Sequence, residues 1–306
     1  MTAQVKVEIL MATYNGATYI EEQIRSLQRQ TFADWRLLIH DDGSMDATLE
    51  IIANYCKQDS RILVLADGVT GLGAAANFLH LLAHTDASIV MLCDQDDLWL
   101  PDKIETMLHR LNAMDGPALI YANAHYLIDG QVIPRQVTRQ HPTALPDFLF
   151  LNAGIQGCSM MMNRALIDTL GTPPKTIAMH DHLLALCALC FGQLQYVDAV
   201  LMLYRQHGDN ATVHHVNRWK QLKAWLFKAE GVVDWCHYGA NWAFYQHYYT
   251  QLNDMQRQVF KEYFNFVGSK SLLERMQIIR RNHFSLGGNQ MVLFAKTLLR
   301  KAILER

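Results

Sequence analysis

Hydrophobic and polar positions follow two alternating patterns along the first third of the chain. Short apolar runs predict β-strands at residues 5–11, 35–40, 61–65 and 88–93. Between them, apolar residues recur every three or four positions, which predicts helices over residues 17–30, 47–57, 74–84 and 101–111. Strands that alternate with helices predict an α/β protein with a mostly parallel sheet, helices on both faces, and ligands beyond the carboxyl ends of the strands.

The rest of the chain has a different pattern. Residues 118–146 are irregular and hold three of the seven prolines, which predicts loops and paired strands. A helix is predicted over residues 181–190 and a strand over residues 199–204. Beyond Val216 the sequence becomes helical, aromatic and basic, so a helical carboxyl-terminal region is expected.

Charge divides the chain into two parts. The 306 residues are 50% hydrophobic and 18% charged, as in a globular protein, and the net charge of −2 is too balanced for a surface built to bind nucleic acid. Residues 1–214 hold 13 basic and 23 acidic side chains, whereas residues 215–306 hold 14 basic and 6 acidic side chains. We therefore predict two domains, 1–214 and 215–306, with different partners.

The sequence also predicts a cellular location. It has no basic leader followed by an apolar core, and no uninterrupted apolar run of about 18 residues that could cross a membrane. The six cysteines are too sparse for a disulfide framework, which fits a reducing compartment. A cytoplasmic protein is expected.

Three short polar segments directly follow three of the predicted strands. They are Ala12-Thr13-Tyr14-Asn15-Gly16, Asp41-Asp42-Gly43-Ser44 and Asp94-Gln95-Asp96-Asp97. One such segment would be an ordinary turn, because Asp, Asn, Gly and Ser are turn residues. Three of them at the carboxyl ends of parallel strands predict a common site at one edge of the sheet.

The third segment concentrates negative charge. Asp94, Asp96 and Asp97 repel one another unless a cation or water screens them, and Mg²⁺ or Mn²⁺ prefers such oxygen ligands. The alternative is a solvated acidic turn before the helix predicted from Pro101, because acids are favoured at helix amino termini. The segment alone leaves both interpretations open.

The motifs ATYNG, DDGS and CDQDDLWLPDK occur in this order within residues 5–210. In order and separation they resemble glycosyltransferase family 2, the inverting enzymes with the GT-A fold. The later segments MHDHLLALCALCFG and LYRQHGDN resemble bacterial rhamnosyltransferase-like members of that family. The resemblance implies a Rossmann-like, mostly parallel sheet with helices on both faces, followed by carboxyl-terminal helices, and a divalent metal cofactor, Mn²⁺ or Mg²⁺.

The resemblance also implies roles for individual residues in binding a nucleoside diphosphate sugar. Thr13 and Tyr14 would lie against the base. Asp41 or Asp42 would accept a hydrogen bond from a ring N–H of uracil or thymine. The donor-binding residues that the resemblance implies are Thr13, Tyr14, Asn15, Asp41, Asp42, Asn77, Asp94, Gln95 and Arg205.

The same resemblance implies a metal site. Asp94 would contact the ribose, Asp96 would coordinate the metal that bridges the two phosphates, and His207 would reach the same metal or the diphosphate. Arg205 would contact a phosphate. The turn before Asn77 lacks the Arg that many family members carry there, so another cation is expected to meet the phosphates.

Asp181 is the candidate general base. An inverting transferase must remove the proton of the acceptor hydroxyl as its oxygen attacks the anomeric carbon, and one carboxylate is sufficient. The alternative is an acid at a helix amino terminus, favoured by the helix dipole. The other motifs that resemble glycosyltransferase family 2 favour the role of Asp181 as general base.

The substrate expected from the resemblance is dTDP-rhamnose, with a UDP-hexose as the alternative donor and a saccharide or lipid-linked glycan as acceptor. A sugar nucleotidyltransferase is a second alternative, but ATYNGATY lacks the basic residues that a triphosphate site needs. A third is a non-catalytic nucleotide-sugar-binding protein that uses its basic carboxyl-terminal surface.

The carboxyl-terminal region has two interpretations. Residues 272–281 and 291–306 combine apolar and basic side chains, as in helices that lie on anionic lipid at the inner face of the plasma membrane. The alternative is helices that pack on the catalytic domain or on a second copy in a homodimer. The 14 histidines show no metal-ligand spacing, so we expect most of them to be surface or core residues.

Overall fold

The computed structural model describes residues 7–151, 155–207 and 231–303. The chain forms two compact units. The first consists of Met1–Thr138, Ile155–Pro173 and Met179–Arg205, and the second of Arg139–Gly154, Pro174–Ala178 and Gln206–Arg306. The predicted domain boundary at residue 214 lies outside the described residues.

The amino-terminal half of the first unit is a parallel α/β arrangement. Its elements are β1 (Val7–Thr13), α1 (Ile20–Gln28), β2 (Trp35–Asp41), α2 (Thr48–Gln58), β3 (Ile62–Val64), α3 (Ala74–Ala83) and β4 (Ile89–Asp94). β1 pairs in parallel with both β2 and β4, and β2 pairs in parallel with β3. The four predicted strands and the helices between them are confirmed.

The rest of the first unit extends the sheet with antiparallel strands. Its elements are β5 (Leu98–Trp99), α4 (Lys103–Leu111), β6 (Ala118–Ile128), β7 (Gln131–Gln136), a 3-10 turn (Gly157–Ser159), β8 (Met160–Asn163), α6 (Arg164–Leu170), α7 (His180–Phe191) and β9 (Gln193–Gln206). The short helix α5 (Leu145–Phe148) belongs to the second unit. The strand order is β3-β2-β1-β4-β8-β6-β9-β5, with β7 paired to β6. The sheet is therefore more mixed than predicted.

Burial follows the predicted periodicity. On α1 the side chains of Ile20, Ile24 and Leu27 are fully buried. All five residues of β4 before Asp94 are buried, as expected for a strand covered on both faces. The core of the first unit therefore lies between the sheet and its helices.

The second unit is helical in its described carboxyl-terminal part. Its helices there are α8 (Trp235–His247), α9 (Asp254–Gly268), α10 (Leu272–Arg281) and α11 (Gln290–Leu299). Each begins after a side chain that accepts a hydrogen bond from the first turn, namely Asp234, Asn253, Ser271 and Asn289. Phe150 lies at the centre of an aromatic cluster with Tyr263, Phe266 and Phe284. None of the helices within the described ranges is long and apolar enough to cross a bilayer.

Candidate active site

Strand register brings the three polar segments together. Thr13 is aligned with Asp41 across β1 and β2, and Ala12 is aligned with Asp94 across β1 and β4. The loops that follow these strands therefore start at the same edge of the sheet, as predicted.

Asp41 is held by its own loop and by β1. Its Oδ2 accepts hydrogen bonds from Thr13 Oγ1 at 2.8 Å and Ser44 Oγ at 2.6 Å. Its Oδ1 accepts from the backbone N–H groups of Ser44 at 2.7 Å and Gly43 at 3.1 Å. Because a carboxylate offers about four lone-pair sites, these contacts use the hydrogen-bonding capacity of Asp41.

Asp42 faces the turn before α3. Its two carboxylate oxygens accept hydrogen bonds from the backbone N–H groups of Leu72 and Gly73, each at 2.7 Å. The side chain is mostly buried. These bonds fill about half of its acceptor sites, so Asp42 keeps capacity for a further donor.

Asn15 connects the first two loops. Its backbone N–H donates to Ser44 Oγ at 2.8 Å, and its Oδ1 accepts from the backbone N–H of Met45 at 2.9 Å. The backbone of Asn15 has a φ of 47°, a left-handed conformation that Asn tolerates better than most residues. The side chain of Asn15 thus positions the loop after β2.

Gln95 connects the first and third loops. Its Oε1 accepts from Tyr14 N at 3.0 Å, and its Nε2 donates to Tyr14 O at 2.9 Å. A Cβ on Gly16 would lie 2.2 Å from Gln95 Oε1, so any larger residue there would displace the Gln95 amide. The Tyr14 side chain is left 53% exposed beside this connection.

The acidic loop concentrates negative charge. Burial, the neighbouring Asp96 carboxylate and the charge of Asp181 together raise the pKa of Asp94 to about 7. Burial, Asp96 and Asp94 likewise raise the pKa of Asp97 well above its usual range. Asp97 Oδ2 is buried and has no hydrogen-bond partner among the described residues. Added positive charge would stabilise these carboxylates in their ionised form.

A buried lysine supplies part of that charge. Lys103 is fully buried at the start of α4, its Nζ donates to Cys158 O at 2.6 Å, and it lies 3.7 Å from the centroid of the Trp99 ring. Burial lowers the pKa of Lys103 to about 8, a shift opposed by the nearby thiols and acids.

The side chains of the acidic loop offer ligand atoms that fit a hard divalent cation. One ligand atom each from Asp94, Asp97 and Cys158 lie within 4.8 Å of one another. Burial raises the pKa of the Cys158 thiol, so its sulfur stays protonated and is a poor ligand for Mg²⁺ or Mn²⁺. The carboxylates are therefore the groups that could hold such an ion. Asp96, predicted as the ligand, is outside this set, although its carboxylate is close enough to raise the pKa of both neighbours.

Arg205 supports the acidic loop from β9. Its backbone N–H donates to Asp97 Oδ1 at 3.1 Å, and its Nε donates to Asp96 O at 2.8 Å. Its Nη2 donates to Glu22 Oε2 at 2.5 Å, and the guanidinium lies 5.1 Å from the centroid of the Tyr19 ring. These contacts engage the Arg205 guanidinium, which the resemblance implied would contact a phosphate.

Asp181 lies in the first turn of α7, as the sequence predicted, and is partly exposed. Its charge acts on Asp94, so the candidate base and the acidic loop belong to the same electrostatic neighbourhood. The residue before it, His180, is buried, and neither of its ring nitrogens has a hydrogen-bond partner among the described residues.

The two remaining predicted residues lie in α3 and directly after β9. Asn77 is buried, and its amide is engaged with His40 through Oδ1 and Nδ2. His207 directly follows β9 and belongs to the second compact unit. Their roles in binding the donor and the metal stay predictions.

Lys103 and Cys158 are not among the site residues that the sequence predicts. Lys103 is the last residue of the CDQDDLWLPDK motif, whereas Cys158 belongs to none of the motifs above. Their link depends on a hydrogen bond between segments far apart in the chain, which periodicity does not encode.

Comparison with known proteins identifies the family. Residues 8–171 match Glycosyl transferase family 2. The chain is 30% identical over 235 residues to dTDP-rhamnosyl transferase RfbG of Shigella flexneri, covering 69% of this chain and 78% of that protein. It is 25% identical over 217 residues to UDP-Glc:alpha-D-GlcNAc-diphosphoundecaprenol beta-1,3-glucosyltransferase WfgD of Escherichia coli, covering 71% and 82%. The chain belongs to glycosyltransferase family 2 and is a glycosyltransferase that uses a nucleotide sugar.

Solved structures share its fold. TarS residues 1–349 of S. aureus, in complex with UDP-GlcNAc, match with a TM-score of 0.61 at 16% identity, covering 90% of this chain and 79% of that one. The mannosyltransferase PcManGT of Pyrobaculum calidifontis, in complex with GDP-Man and Mn²⁺, matches with a TM-score of 0.54 at 15% identity, covering 97% and 88%. These likenesses confirm the predicted GT-A fold with additional carboxyl-terminal helices.

Proposed function

We propose that this glycosyltransferase is inverting and metal-dependent, and that it transfers rhamnose from dTDP-rhamnose to a hydroxyl of a saccharide or lipid-linked acceptor in polysaccharide synthesis. The observation that carries the proposal is the register of β1 with β2 and β4, which brings Thr13, Asp41 and Asp94 to one edge of the sheet. The similarity to a dTDP-rhamnosyl transferase supports the donor.

Asp42 is the carboxylate that binds the base. Asp41 is occupied by Thr13 and its own loop, whereas Asp42 accepts two hydrogen bonds from backbone N–H groups and can take another from a ring N–H of thymine or uracil. The exposed ring of Tyr14 would stack on that base. Thr13, Asn15 and Gln95 position these two groups.

Asp96 would coordinate the metal ion together with the clustered carboxylates of Asp94 and Asp97, and Asp94 would also contact the ribose. When bound, Mn²⁺ or Mg²⁺ supplies positive charge that stabilises the departing nucleoside diphosphate. The support is the raised pKa of Asp94, which results first from burial and then from the neighbouring Asp96 carboxylate, two effects that a bound cation would offset. Arg205 holds the loop through Asp96 O and Asp97.

Asp181 acts as general base toward the acceptor. The acceptor oxygen forms a bond to the anomeric carbon on the face opposite the diphosphate, and the bond between that carbon and the phosphate oxygen breaks. The hydroxyl proton passes to the Asp181 carboxylate. No covalent enzyme intermediate is needed, because a single displacement inverts the configuration.

A UDP-hexose is the second candidate donor. The observation that favours it is the similarity to WfgD, a UDP-Glc-dependent glucosyltransferase. A carboxylate at Asp42 suits uracil and thymine equally, so the base contact does not discriminate between the donors.

The location we propose is cytoplasmic, peripheral at the inner face of the plasma membrane. Among the described residues, α10 and α11 expose Leu273 at 70% and Met291 at 73%, and α10 ends in Arg280 and Arg281. Apolar and basic side chains of this kind suit an anionic lipid surface. Retention on anionic but not neutral vesicles would support this location, and a chain that dimerises without binding vesicles would contradict it.

The function is tested by a donor panel. The purified chain is incubated with UDP-, dTDP- and GDP-sugars and Mn²⁺ or Mg²⁺, and nucleoside diphosphate release is followed with and without EDTA. Release from dTDP-rhamnose that EDTA abolishes is the expected result. Release that is unaffected by EDTA would contradict the proposed metal dependence. Release from a UDP-hexose alone would contradict dTDP-rhamnose as the donor.

A further inference from the structure

A second group of potential metal ligands lies apart from the acidic loop. One ligand atom each from His40, Asp67 and His80 lie within 4.8 Å of one another. His40 is in β2, Asp67 is in the loop after β3, and His80 is in α3. His40 is fully buried, whereas the side chains of Asp67 and His80 keep 24% and 20% of their surface exposed. The group is open to solvent on one side only.

The tautomer of His40 is fixed by Asn77. Asn77 Nδ2 donates to His40 O at 3.3 Å, which orients the amide so that its Oδ1 faces His40 Nδ1 at 2.7 Å. His40 Nδ1 therefore carries a proton and donates it to Asn77 Oδ1. A histidine that binds a metal through Nε2 usually makes such a bond with its other nitrogen.

The remaining nitrogen of His40 faces negative charge. His40 Nε2 lies 3.4 Å from Asp67 Oδ1. The backbone N–H of Val69 and the ring of His80 lower the pKa of Asp67 to about 2, so its carboxylate is ionised at neutral pH. The lone pair of a neutral ring would repel that oxygen. A proton on Nε2 or a metal ion between the two atoms would remove this repulsion.

The distance favours a metal ion. At 3.4 Å the separation of His40 Nε2 and Asp67 Oδ1 is longer than an ordinary N–H···O hydrogen bond of about 2.7–3.2 Å. Ligand atoms about 2.0–2.1 Å from a tetrahedral zinc ion lie about 3.3–3.4 Å from one another. His80 Nε2 lies 2.5 Å from Asp67 Oδ2, which is a hydrogen bond, so an ion bound by all three side chains must replace this bond and move the two atoms apart.

We propose that His40 Nε2, His80 Nε2 and the Asp67 carboxylate form a binding site for a transition-metal ion of the Zn²⁺ class, with solvent completing the coordination. Binding releases the proton that His80 shares with Asp67. Two imidazoles select such an ion over Mg²⁺ or Mn²⁺, which prefer oxygen ligands. The site does not depend on the function proposed above.

The ion would act on the loop between β3 and α3. That loop covers residues 65–73 and contains Asp67, and its end donates two hydrogen bonds to Asp42 from Leu72 and Gly73. Fixing Asp67 to His40 and His80 would order the loop at its start. The site is therefore structural, next to the carboxylate proposed to bind the base.

The test measures metal binding by the full chain without any donor sugar. After chelator treatment and dialysis, Zn²⁺ is titrated by calorimetry and Co²⁺ by its visible absorption, both in excess Mg²⁺ so that the acidic loop does not compete. The variants are Asp67→Asn and His80→Gln, whose side chains are partly exposed and close in shape to the originals. His109→Gln, an exposed histidine on α4, is the matched control.

The expected result is one Zn²⁺ or Co²⁺ per chain for the native protein and for His109→Gln, with affinity reduced at least about tenfold in the other two variants. Zn²⁺ should also raise the melting temperature of the native protein and not that of His80→Gln. Absence of binding in excess Mg²⁺, or equal affinity in all four proteins, would overturn the proposal and assign the charge to a proton on His40.

Discussion

Gln95 binds the backbone of Tyr14 with both atoms of its amide, one as acceptor at 3.0 Å and one as donor at 2.9 Å. This pair joins the loop after β4, which carries the acids, to the loop after β1, which carries the exposed aromatic ring. The position of that ring therefore depends on a residue 81 positions away in the chain.

Gly16→Ala should weaken donor binding by breaking this pair. The new Cβ would lie 2.2 Å from Gln95 Oε1, so the amide must move away from Tyr14. We expect a several-fold rise in KM for the nucleotide sugar with a smaller change in kcat. Gly268→Ala is the control, because no atom lies within 4 Å of its Cβ. Equal KM values in the two variants would contradict the role of the pair.

Asp41→Asn and Asp42→Asn should have different effects. Asp41 accepts four hydrogen bonds within the protein, and an amide cannot accept them all, so Asp41→Asn should lower the free energy of unfolding by about 1–3 kcal/mol. Asp42→Asn loses only one of two accepted hydrogen bonds, so it should be less destabilising than Asp41→Asn and should raise the donor KM. Urea unfolding and donor kinetics on both variants check this, and the reverse pattern would assign the base contact to Asp41.

Much of the fold follows from sequence periodicity. The apolar spacing of Ile20, Ile24 and Leu27 defines the buried face of α1, and the apolar run before Asp94 defines a central strand. The pattern does not reveal pairing between distant segments. β8 lies between β4 and β6 in antiparallel pairing, although a run of methionines fits a strand or a helix equally well.

The start of α4 shows the same limit. Pro101 is favoured at the first position of a helix, yet α4 begins at Lys103. The carbonyl of Pro101 accepts a hydrogen bond from the backbone N–H of Thr31 at 2.8 Å, so it is committed to another segment. Local preference is overridden here by a tertiary contact.

The proximity of the three polar segments was predictable from the sequence, whereas their contacts were not. Polar residues after strands predicted that these segments share one edge of the sheet, and regular strand register brings them there. Which side chains stay available depends on hydrogen bonds inside the loops, as the difference between Asp41 and Asp42 shows. The group formed by His40, Asp67 and His80 has no ligand spacing in the sequence, because three separate elements bring it together.

His180 should make stability depend on pH. Burial lowers the pKa of His180 from 6.5 to about 3, so the folded chain keeps the ring neutral. Below pH 6.5 the unfolded chain takes up a proton that the folded chain does not, and the free energy of unfolding falls by up to about 1.4 kcal/mol per pH unit until about pH 3. Above pH 6.5 the ring is neutral in both states and this effect is absent.

His180→Leu isolates this effect. Other groups titrate alike in both proteins, so unfolding in urea at pH 7 and pH 5 should give a difference that is about 2 kcal/mol larger for the native protein than for the variant. Parallel pH dependence in the two proteins would contradict the neutral, buried state of the His180 ring.

Asp181→Asn should remove catalysis and leave donor binding intact. The amide cannot take the proton of the acceptor hydroxyl, so kcat should fall by about 10²–10⁴ while the affinity for nucleoside diphosphate and the melting temperature stay unchanged. Asp168→Asn is the control, because Asp168 is an exposed acid on α6. If Asp181→Asn retained native kcat, the residue would be only an acid at the start of α7.

The most direct test of the account is the metal dependence of the acidic loop. Nucleoside diphosphate release from the preferred donor is measured against Mn²⁺ concentration for the native chain, for Asp96→Asn and for Asp102→Asn, an exposed acid six positions along the chain. The account predicts that Asp96→Asn loses release or needs at least about tenfold more Mn²⁺, while Asp102→Asn behaves as the native chain. Identical Mn²⁺ dependence in all three proteins would contradict it.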